Sequence, residues 1–378
     1  QRFHCALLSK VNTYIDLSRL YIGLFIQTPM SLGPGEHEVR KLQSTGGSTF
    51  TLSLPKPWIN EFDLVARDSL RVDWRPSGAL RITPLSASHR IDRAVFFDHS
   101  NLPENSLHDH LMGAYISGAD LIKIKFTSDG RTELARSVRR FLKATRGFEI
   151  IDETDSLMEM RCLLNAGDMP IRASLNRMYL LVTSLMRDIV NCFDGGELEF
   201  LSDTEERESE VDALLYLVER QIRILLDSYA VASKLNISRP LAVEFGNLAR
   251  SLERMMDHVH KLATFLLNHP EFIQLSPSFT PIQHVPTWMG ALKELMINIR
   301  TRDSTRIELA RHDLKAMQQS LLEYERKELE ATSKGLLLAQ QLSISESIRR
   351  LCAYSRDFGE ILLNMKISTE MNAIKYEN

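Results

Sequence analysis

Several features that mark common protein classes are scarce in this sequence. Only four of its 378 residues are cysteines, and Cys5, Cys162, Cys192 and Cys352 form neither a CxxC pair nor a zinc-ligand spacing with histidine. Because a disulfide framework is unusual in a chain of this size, we interpret them as the reduced thiols of a cytoplasmic protein. The longest apolar stretch, residues 20–26, is far shorter than the roughly 20 residues of a membrane-spanning helix.

Aromatic residues and charge of one sign are also scarce. Aromatics make up 7% of the chain, and 46 Lys and Arg residues against 49 Asp and Glu give a net charge of −3. The low aromatic content favours long helices over a β-sandwich. The small net charge excludes a histone-like protein but not a local surface that binds nucleic acid. The chain contains no GxxxxGK(S/T), no GxSxG and no Glu-x-x-His pair, so we expect no enzymatic activity.

The N-terminal part divides into an extension and a β-rich unit. Residues 1–34 lack a clean hydrophobic period, so we predict an extension without stable structure; a short amphipathic helix is the alternative. Within residues 35–86, apolar and polar residues alternate at 50–54, and again at 70–74 and 80–82 on either side of a Pro-Ser-Gly turn. So short a unit buries little apolar surface alone, and we therefore expect it to form a homodimer.

Residues 87–166 alternate between strand and helix patterns. The predicted order β-α-β-α-β-β is typical of a small α/β domain. The predicted strands cover 94–97, 121–126, 148–152 and 157–164, and the predicted helices cover 105–117 and 132–145.

The remaining half of the chain has a helical period, so the fold is predicted to be mainly α. Three predicted helices precede a loop containing Pro277, Pro281 and Pro286, and three follow it. This pattern indicates two tandem three-helix bundles, at 167–270 and 283–370.

Four carboxylates of the first bundle form the main candidate site. Glu208 and Asp212 are four residues apart on the second helix, and Glu253 and Asp257 have the same spacing on the third. Carboxylates directed toward a core need partners, and two such pairs on facing helices can hold a hard cation.

Two other interpretations of the acidic residues stay open at this point. Arg250, Arg254 and Lys261 can neutralise them as ordinary surface ion pairs. His258 and His260 fit bundle packing, although one of them can also add a metal ligand.

The β-rich unit offers a second candidate site. Arg40, Lys41 and Lys56 flank the loop Ser-Thr-Gly-Gly-Ser at 44–48, where backbone N–H groups and cations can meet phosphates. Lys and Arg outnumber Asp and Glu by only one over residues 35–85, so charge alone also fits a unit that merely dimerises.

Residues 38–84 resemble AbrB-like (SpoVT/AbrB) DNA-binding domains. The Leu-Pro-Lys-Pro-Trp run at 54–58 and the Asp-Ser-Leu-Arg-Val run at 68–72 carry the likeness. The resemblance implies a swapped-hairpin dimer whose joint β surface meets DNA, with Arg40, Lys41 and Lys56 as candidate contacts.

Residues 168–368 resemble two PhoU repeats. The run Ser-Leu-Glu-Arg-Met-Met-Asp-His at 251–258 is similar to the family's Leu-Glu-Arg-Ile-x-Asp-His, and Glu208-x-x-x-Asp212 fits its partner motif. The resemblance implies a cluster of iron, zinc, manganese or magnesium in the first repeat. A shift of 96 residues puts Arg349 and Ala353 on the signature of the second repeat, so we expect no site there.

The combination of these units resembles the archaeal phosphate-uptake regulators. It implies a cytoplasmic homodimer that negatively controls phosphate uptake, contacts the operator DNA of phosphate genes and relays phosphate status through the bundles. In the alternative interpretation, the chain docks on a phosphate ABC transporter or a sensor kinase, and the AbrB-like unit only dimerises. A metal-carboxylate enzyme is a third interpretation, which the missing Glu-x-x-His pairs disfavour.

Overall fold

The computed structural model describes residues 39–47, 49–74, 79–85, 93–271, 280–330 and 335–371. The described residues up to 85 form one compact unit, and those from 93 onward form a second. The predicted N-terminal extension, the turn at 76–78 and Pro277 all lie outside the described residues.

The described residues of the first unit form two antiparallel strand pairs and one short helix. Pro57 stands in the first turn of the helix, where its missing N–H costs nothing, and this confirms the predicted helical turns. The alternation at 50–54 predicts a longer strand than forms, since pairing ends at Thr51. The elements are β1 (Gln43–Thr45), β2 (Thr49–Thr51), α1 (Lys56–Glu61), β3 (Leu70–Trp74) and β4 (Leu80–Pro84).

The second unit begins with a four-stranded sheet whose order is β5-β6-β8-β7. β5 and β6 are parallel, and the other pairings are antiparallel. The alternating buried residues of β8 pack with Leu111, Tyr115 and Phe141 of two helices, as the predicted β-α-β-α-β-β order requires. The elements are β5 (Ala94–Asp98), α2 (Leu107–Ile116), β6 (Leu121–Lys125), α3 (Arg131–Ala144), β7 (Phe148–Glu153) and β8 (Leu157–Cys162).

Within the described residues, six long α-helices and two short ones follow. Two prolines that we predicted in a loop lie inside helices: Pro281 in the first short helix after the gap, and Pro286 in the first turn of the next, where proline is tolerated. The helices are α4 (Ile171–Phe193), α5 (Thr204–Asp227), α6 (Tyr229–Leu235), α7 (Arg239–Asn268), α8 (Thr280–Gln283), α9 (Val285–Thr301), α10 (Ser304–Glu330) and α11 (Leu336–Glu370).

The two predicted helix sets share one hydrophobic core. Leu185 and Leu252 from the first set and Trp288 and Leu351 from the second belong to the same buried cluster, and α7 packs extensively against α11. The indole N–H of Trp288 donates to Ser355 Oγ at 2.9 Å inside this core. The helical period predicts each apolar stripe, but not that the stripes of both sets meet.

None of the helices in the described part of the chain is long and apolar enough to cross a membrane.

Candidate metal centre

Helices α5 and α7 run antiparallel and bring the predicted carboxylates together. Glu219 of α5 pairs with Arg250 of α7 at 2.5 Å, and Glu205 of α5 lies 3.3 Å from His260 Nε2 of α7. Residues with increasing numbers along α5 therefore face residues with decreasing numbers along α7.

Burial and mutual repulsion raise the pKa of two of these carboxyl groups. Burial raises the pKa of Asp212 to about 6, with Glu208 and Asp257 adding to the shift and His260 opposing it. Burial likewise raises the pKa of Glu253 to about 7, with Asp257 and Asp212 adding and Arg254 and Arg250 opposing. The four predicted carboxylates thus lie within electrostatic reach of one another.

We call Glu208, Asp212, Glu253 and Asp257 the acidic seam. A tighter group of possible metal ligands lies at one end of this seam. Ligand atoms of Glu205, Glu208 and His260 lie within 4.8 Å of one another, and this is the only such group of three or more among the described residues. Glu208 is half-buried, whereas the Glu205 side chain is 72% exposed.

Sequence reasoning missed Glu205 and undervalued His260. Glu205 stands in an acidic run that resembles a solvated helix face, and His260 fits bundle packing equally well. The available signal was spacing: Glu205 precedes Glu208 by three residues, and His260 follows Asp257 by three, so each extends its pair along the same helix face.

The neutralising surface pairs that formed the alternative are absent from the seam. Arg250 pairs with Glu219, and the guanidinium of Arg254 stacks over the ring of Tyr354 at 5.8 Å. Within the described residues, no Lys or Arg lies within ion-pair distance of the four seam carboxylates.

The donor set fits a hard or borderline divalent ion. Carboxylate oxygens with one imidazole suit manganese, iron, zinc and magnesium to different degrees, as their usual ligands show. His260 Nε2 faces Glu205, while its buried Nδ1 has no hydrogen-bond partner among the described residues. A ligating histidine commonly donates its second N–H to an acceptor, so the carboxylates are the stronger part of this site.

Protonation of the seam gives a testable pH dependence. Because Glu253 has a higher pKa in the folded chain than the ordinary value near 4.3, its stabilising contribution is complete at low pH and is lost as pH rises toward 7. We therefore expect Glu253→Gln to raise the free energy of unfolding of the metal-free protein at pH 8. After a discount for solvent screening, the expected gain in the free energy of unfolding is about 1–2 kcal/mol at pH 8. The gain should be smaller at pH 5, where Glu253 is already protonated in the folded chain.

Chemical unfolding in the presence of a chelator at both pH values measures this effect. Glu206→Gln is the matched control, because Glu206 is an exposed glutamate of α5, the helix that also carries Glu208 and Asp212. An equal gain at pH 5 and pH 8 would contradict the assigned cause.

The second helix set has an arginine at the position equivalent to Glu253. Arg349 stands where the first set has Glu253, and its Nε lies 3.3 Å from Glu325 Oε1. Ser345 Oγ donates to the same oxygen at 2.9 Å. Ala353 has no side-chain atom that can bind a metal, and the expected absence of a second site stays a prediction.

The candidate DNA contacts lie in the first unit. Arg40 and Lys41 precede β1, and Lys56 begins α1; all three are exposed. The β1–β2 turn contains Gly46 and Gly47 at φ +67° and +81°, a backbone conformation that favours glycine. Ser48 lies outside the described residues.

Comparison with protein-family models places the seam within one known domain. Residues 175–266 match the PhoU domain. This PhoU segment spans most of α4, all of α5 and most of α7, and it contains all four seam carboxylates. It covers less than half of the chain, so the match describes this segment.

Two further comparisons accompany the PhoU match. The crystal structure of PhoU from Pseudomonas aeruginosa is 17% identical, with a TM-score of 0.42, and the alignment covers 52% of this chain and 96% of that one. No curated protein matches the chain.

Proposed function

We propose that the protein is a regulator of phosphate homeostasis whose PhoU segment carries a metal centre. The match of residues 175–266 to the PhoU domain is the observation that supports this most directly. The regulatory output we propose is negative control of phosphate uptake, without an enzymatic step.

The metal centre would use Glu208, Asp212, Glu253 and Asp257. Two carboxyl groups with raised pKa values, and no Lys or Arg paired to the seam within the described residues, favour a bound cation. A divalent ion would remove the repulsion among the carboxylates and would stabilise the folded chain by linkage. His260 and Glu205 stand where they can add ligands.

The N-terminal unit would contact DNA as a homodimer, as its resemblance to AbrB-like domains implies. Its apolar side chains support a dimer: Phe50, Val72 and Leu80 are each more than half exposed. Leu64 and Pro84 are the buried residues among those described in the unit. A second copy would cover this apolar surface.

A DNA-binding measurement tests the proposed function. Replacing Arg40, Lys41 and Lys56 together with Ala should weaken binding to a phosphate-gene promoter. Each phosphate contact releases counterions, so the slope of log K against log salt should flatten by up to about 3. Fluorescence anisotropy over a series of salt concentrations gives both quantities.

A matched control removes the same charge elsewhere. Arg136, Arg139 and Lys143 are exposed residues of α3, and their replacement with Ala should leave the salt slope unchanged. If the unaltered protein binds no DNA even at low salt, the DNA-binding proposal fails. The chain would then act by docking on a phosphate transporter or sensor kinase.

A further inference from the structure

Helix α3 carries a concentrated patch of positive charge. Its apolar residues Leu134, Val138 and Phe141 are buried in the core that α3 shares with the four-stranded sheet. The opposite side exposes four cations at the spacing i, i+3, i+4 and i+7, which we call the α3 basic face: Arg136, Arg139, Arg140 and Lys143. At a rise of about 1.5 Å per residue, this face is about 10 Å long, or two helical turns.

The cations of the α3 basic face are not neutralised by nearby acids. Glu133 is the only acidic residue in the sequence of α3, and its carboxylate lies 3.5 Å from His99 Nε2. Arg139 Nε donates to a backbone carbonyl of its own helix at 3.0 Å. Within the described residues, no carboxylate lies within ion-pair distance of these four side chains.

Helix α10 shows how exposed arginines are arranged elsewhere in the chain. Arg326 binds Glu323 three residues before it and Glu330 four residues after it, each at 2.7 Å. Helix α3 has like charges at the same spacings, and they repel one another about as strongly as opposite charges attract. An anion that binds the α3 basic face would relieve this repulsion, which favours a binding surface over an ordinary solvated face.

Carboxylates border the α3 basic face on two sides. Arg131, in the first turn of α3, lies 3.2 Å from Glu153 Oε1. Burial and then the charge of Arg140 lower the pKa of His108 in α2, so Arg140 lies beside the start of that helix, where Asp109 is exposed. The positive surface is therefore small and ends in acidic residues.

The charge and extent of the surroundings favour a small partner. From residue 92 onward, 35 Lys and Arg residues stand against 42 Asp and Glu, a net charge of −7. A DNA duplex or an anionic membrane extends far beyond two helical turns and would also meet the bordering carboxylates, which repel it. The exposed residues of α3 are Thr132 and five cations, so the helix exposes no apolar side chain for a membrane.

We propose that the α3 basic face docks a short acidic segment of a partner protein. A helical segment with Glu at i, i+3, i+4 and i+7 has the spacing of the four cations, and guanidinium groups can bind carboxylates through two N–H groups. This docking goes beyond the proposed function, because it depends on neither the metal centre nor the DNA contacts.

Two labelled peptides of about 18 residues test this docking, a length at which an Ala-rich sequence forms a helix. The Glu peptide carries glutamates at the matching spacing in an alanine background, and the Gln peptide has glutamine at those positions. Fluorescence anisotropy measures the affinity of each for the full chain at low salt. The Glu peptide should bind about 10-fold more tightly or better, and its affinity should fall as salt screens the ion pairs.

Substitutions at exposed positions should leave the fold intact. Replacing all four residues of the α3 basic face with Gln should weaken binding of the Glu peptide about 10-fold or more, without lowering the melting temperature. Replacing them with Glu should transfer the preference to a peptide that has Lys at the same positions. The matched control replaces four exposed cations of other helices with Gln and should bind like the unaltered chain: Arg223, Lys293, Arg300 and Lys315.

Three results would overturn the proposal. The first is no binding of the Glu peptide at about 1 mM in low salt. The second is equal affinity of the Glu peptide for the unaltered chain and for the Gln variant of the α3 basic face. The third is binding of a DNA duplex or of phosphatidylserine vesicles, in place of the peptide, that the same variant loses; α3 would then contact nucleic acid or a membrane.

Discussion

Protein in which Glu253 and Asp257 are both replaced with Ala should bind no divalent metal, whereas the unaltered chain should bind one cluster. The two residues supply half of the seam, and Glu253 has a pKa of about 7, raised by burial and by its acidic neighbours. Without them the cation loses the ligands from α7 that offset its dehydration. Elemental analysis of protein purified without chelator measures the metal content. Melting-temperature shifts with iron, zinc, manganese or magnesium provide a second measurement.

Two further variants sharpen this experiment. Arg349→Ala should leave the metal content unchanged, because Arg349 belongs to the second helix set and pairs with Glu325. Glu208→Ala combined with His260→Ala should reduce the metal content, because it removes one seam carboxylate and the imidazole beside it.

Two outcomes would contradict the four-carboxylate site. One is unaltered protein that contains no metal and shows no thermal shift with any of the four ions. The other is metal that persists when Glu253 and Asp257 are replaced but disappears when Glu208 and His260 are replaced. The second outcome would move the site to Glu205, Glu208 and His260.

Arg220→Met should lower the free energy of unfolding by about 3–5 kcal/mol. The Arg220 side chain is buried, and its guanidinium donates to Tyr115 O at 2.9 Å and to Ala119 O at 2.7 Å. One guanidinium nitrogen, Nη2, also lies 3.2 Å from Asp120 Oδ1, so the substitution removes a buried cation from a largely buried carboxylate. Methionine has a similar volume, which separates the lost charge from a packing defect.

Urea unfolding followed by circular dichroism measures this loss. Arg223→Met is the matched control: Arg223 is an exposed arginine of the same helix, and its replacement should change stability by less than about 0.5 kcal/mol. A loss below about 1 kcal/mol for Arg220→Met would show that the buried pair contributes little.

Arg220 was not recognisable from the sequence. It stands in α5 between Glu219 and Gln221, and nothing in its spacing points to Asp120, which is 100 residues away. A buried ion pair between distant segments depends on how α5 packs against α2 and α3, and sequence periodicity does not encode that packing.

Local elements were largely predictable. The period-two pattern predicts β6 at 121–126, and the strand forms at Leu121–Lys125; the helical period predicts 132–145, and α3 forms at Arg131–Ala144. Such agreement is expected where intrinsic propensity and burial favour the same element. The short helix α6 was missed, because its seven residues contain too few turns to show a period.

The candidate metal site was predictable only in part. Spacing of four residues brings each carboxylate pair to one helix face, and the electrostatic coupling between Asp212 and Asp257 fits that expectation. The closest ligand group, however, includes Glu205 and His260, because the vertical register of α5 against α7 decides which atoms meet. Side-chain packing along the whole length of both helices sets that register.

The amino-acid sequence was enough to predict most of the helices and strands, the acidic pairs on α5 and α7, and the presence of Arg349 and Ala353 in the second helix set. Each of these follows from residue type and from spacing along one element, which are local properties. Packing between distant segments, in contrast, makes both helix sets share one core, pairs Arg349 with Glu325 and leaves Gln221 Oε1 without a hydrogen-bond partner among the described residues. These features join residues far apart in the chain, so they depend on packing between elements rather than on any single element.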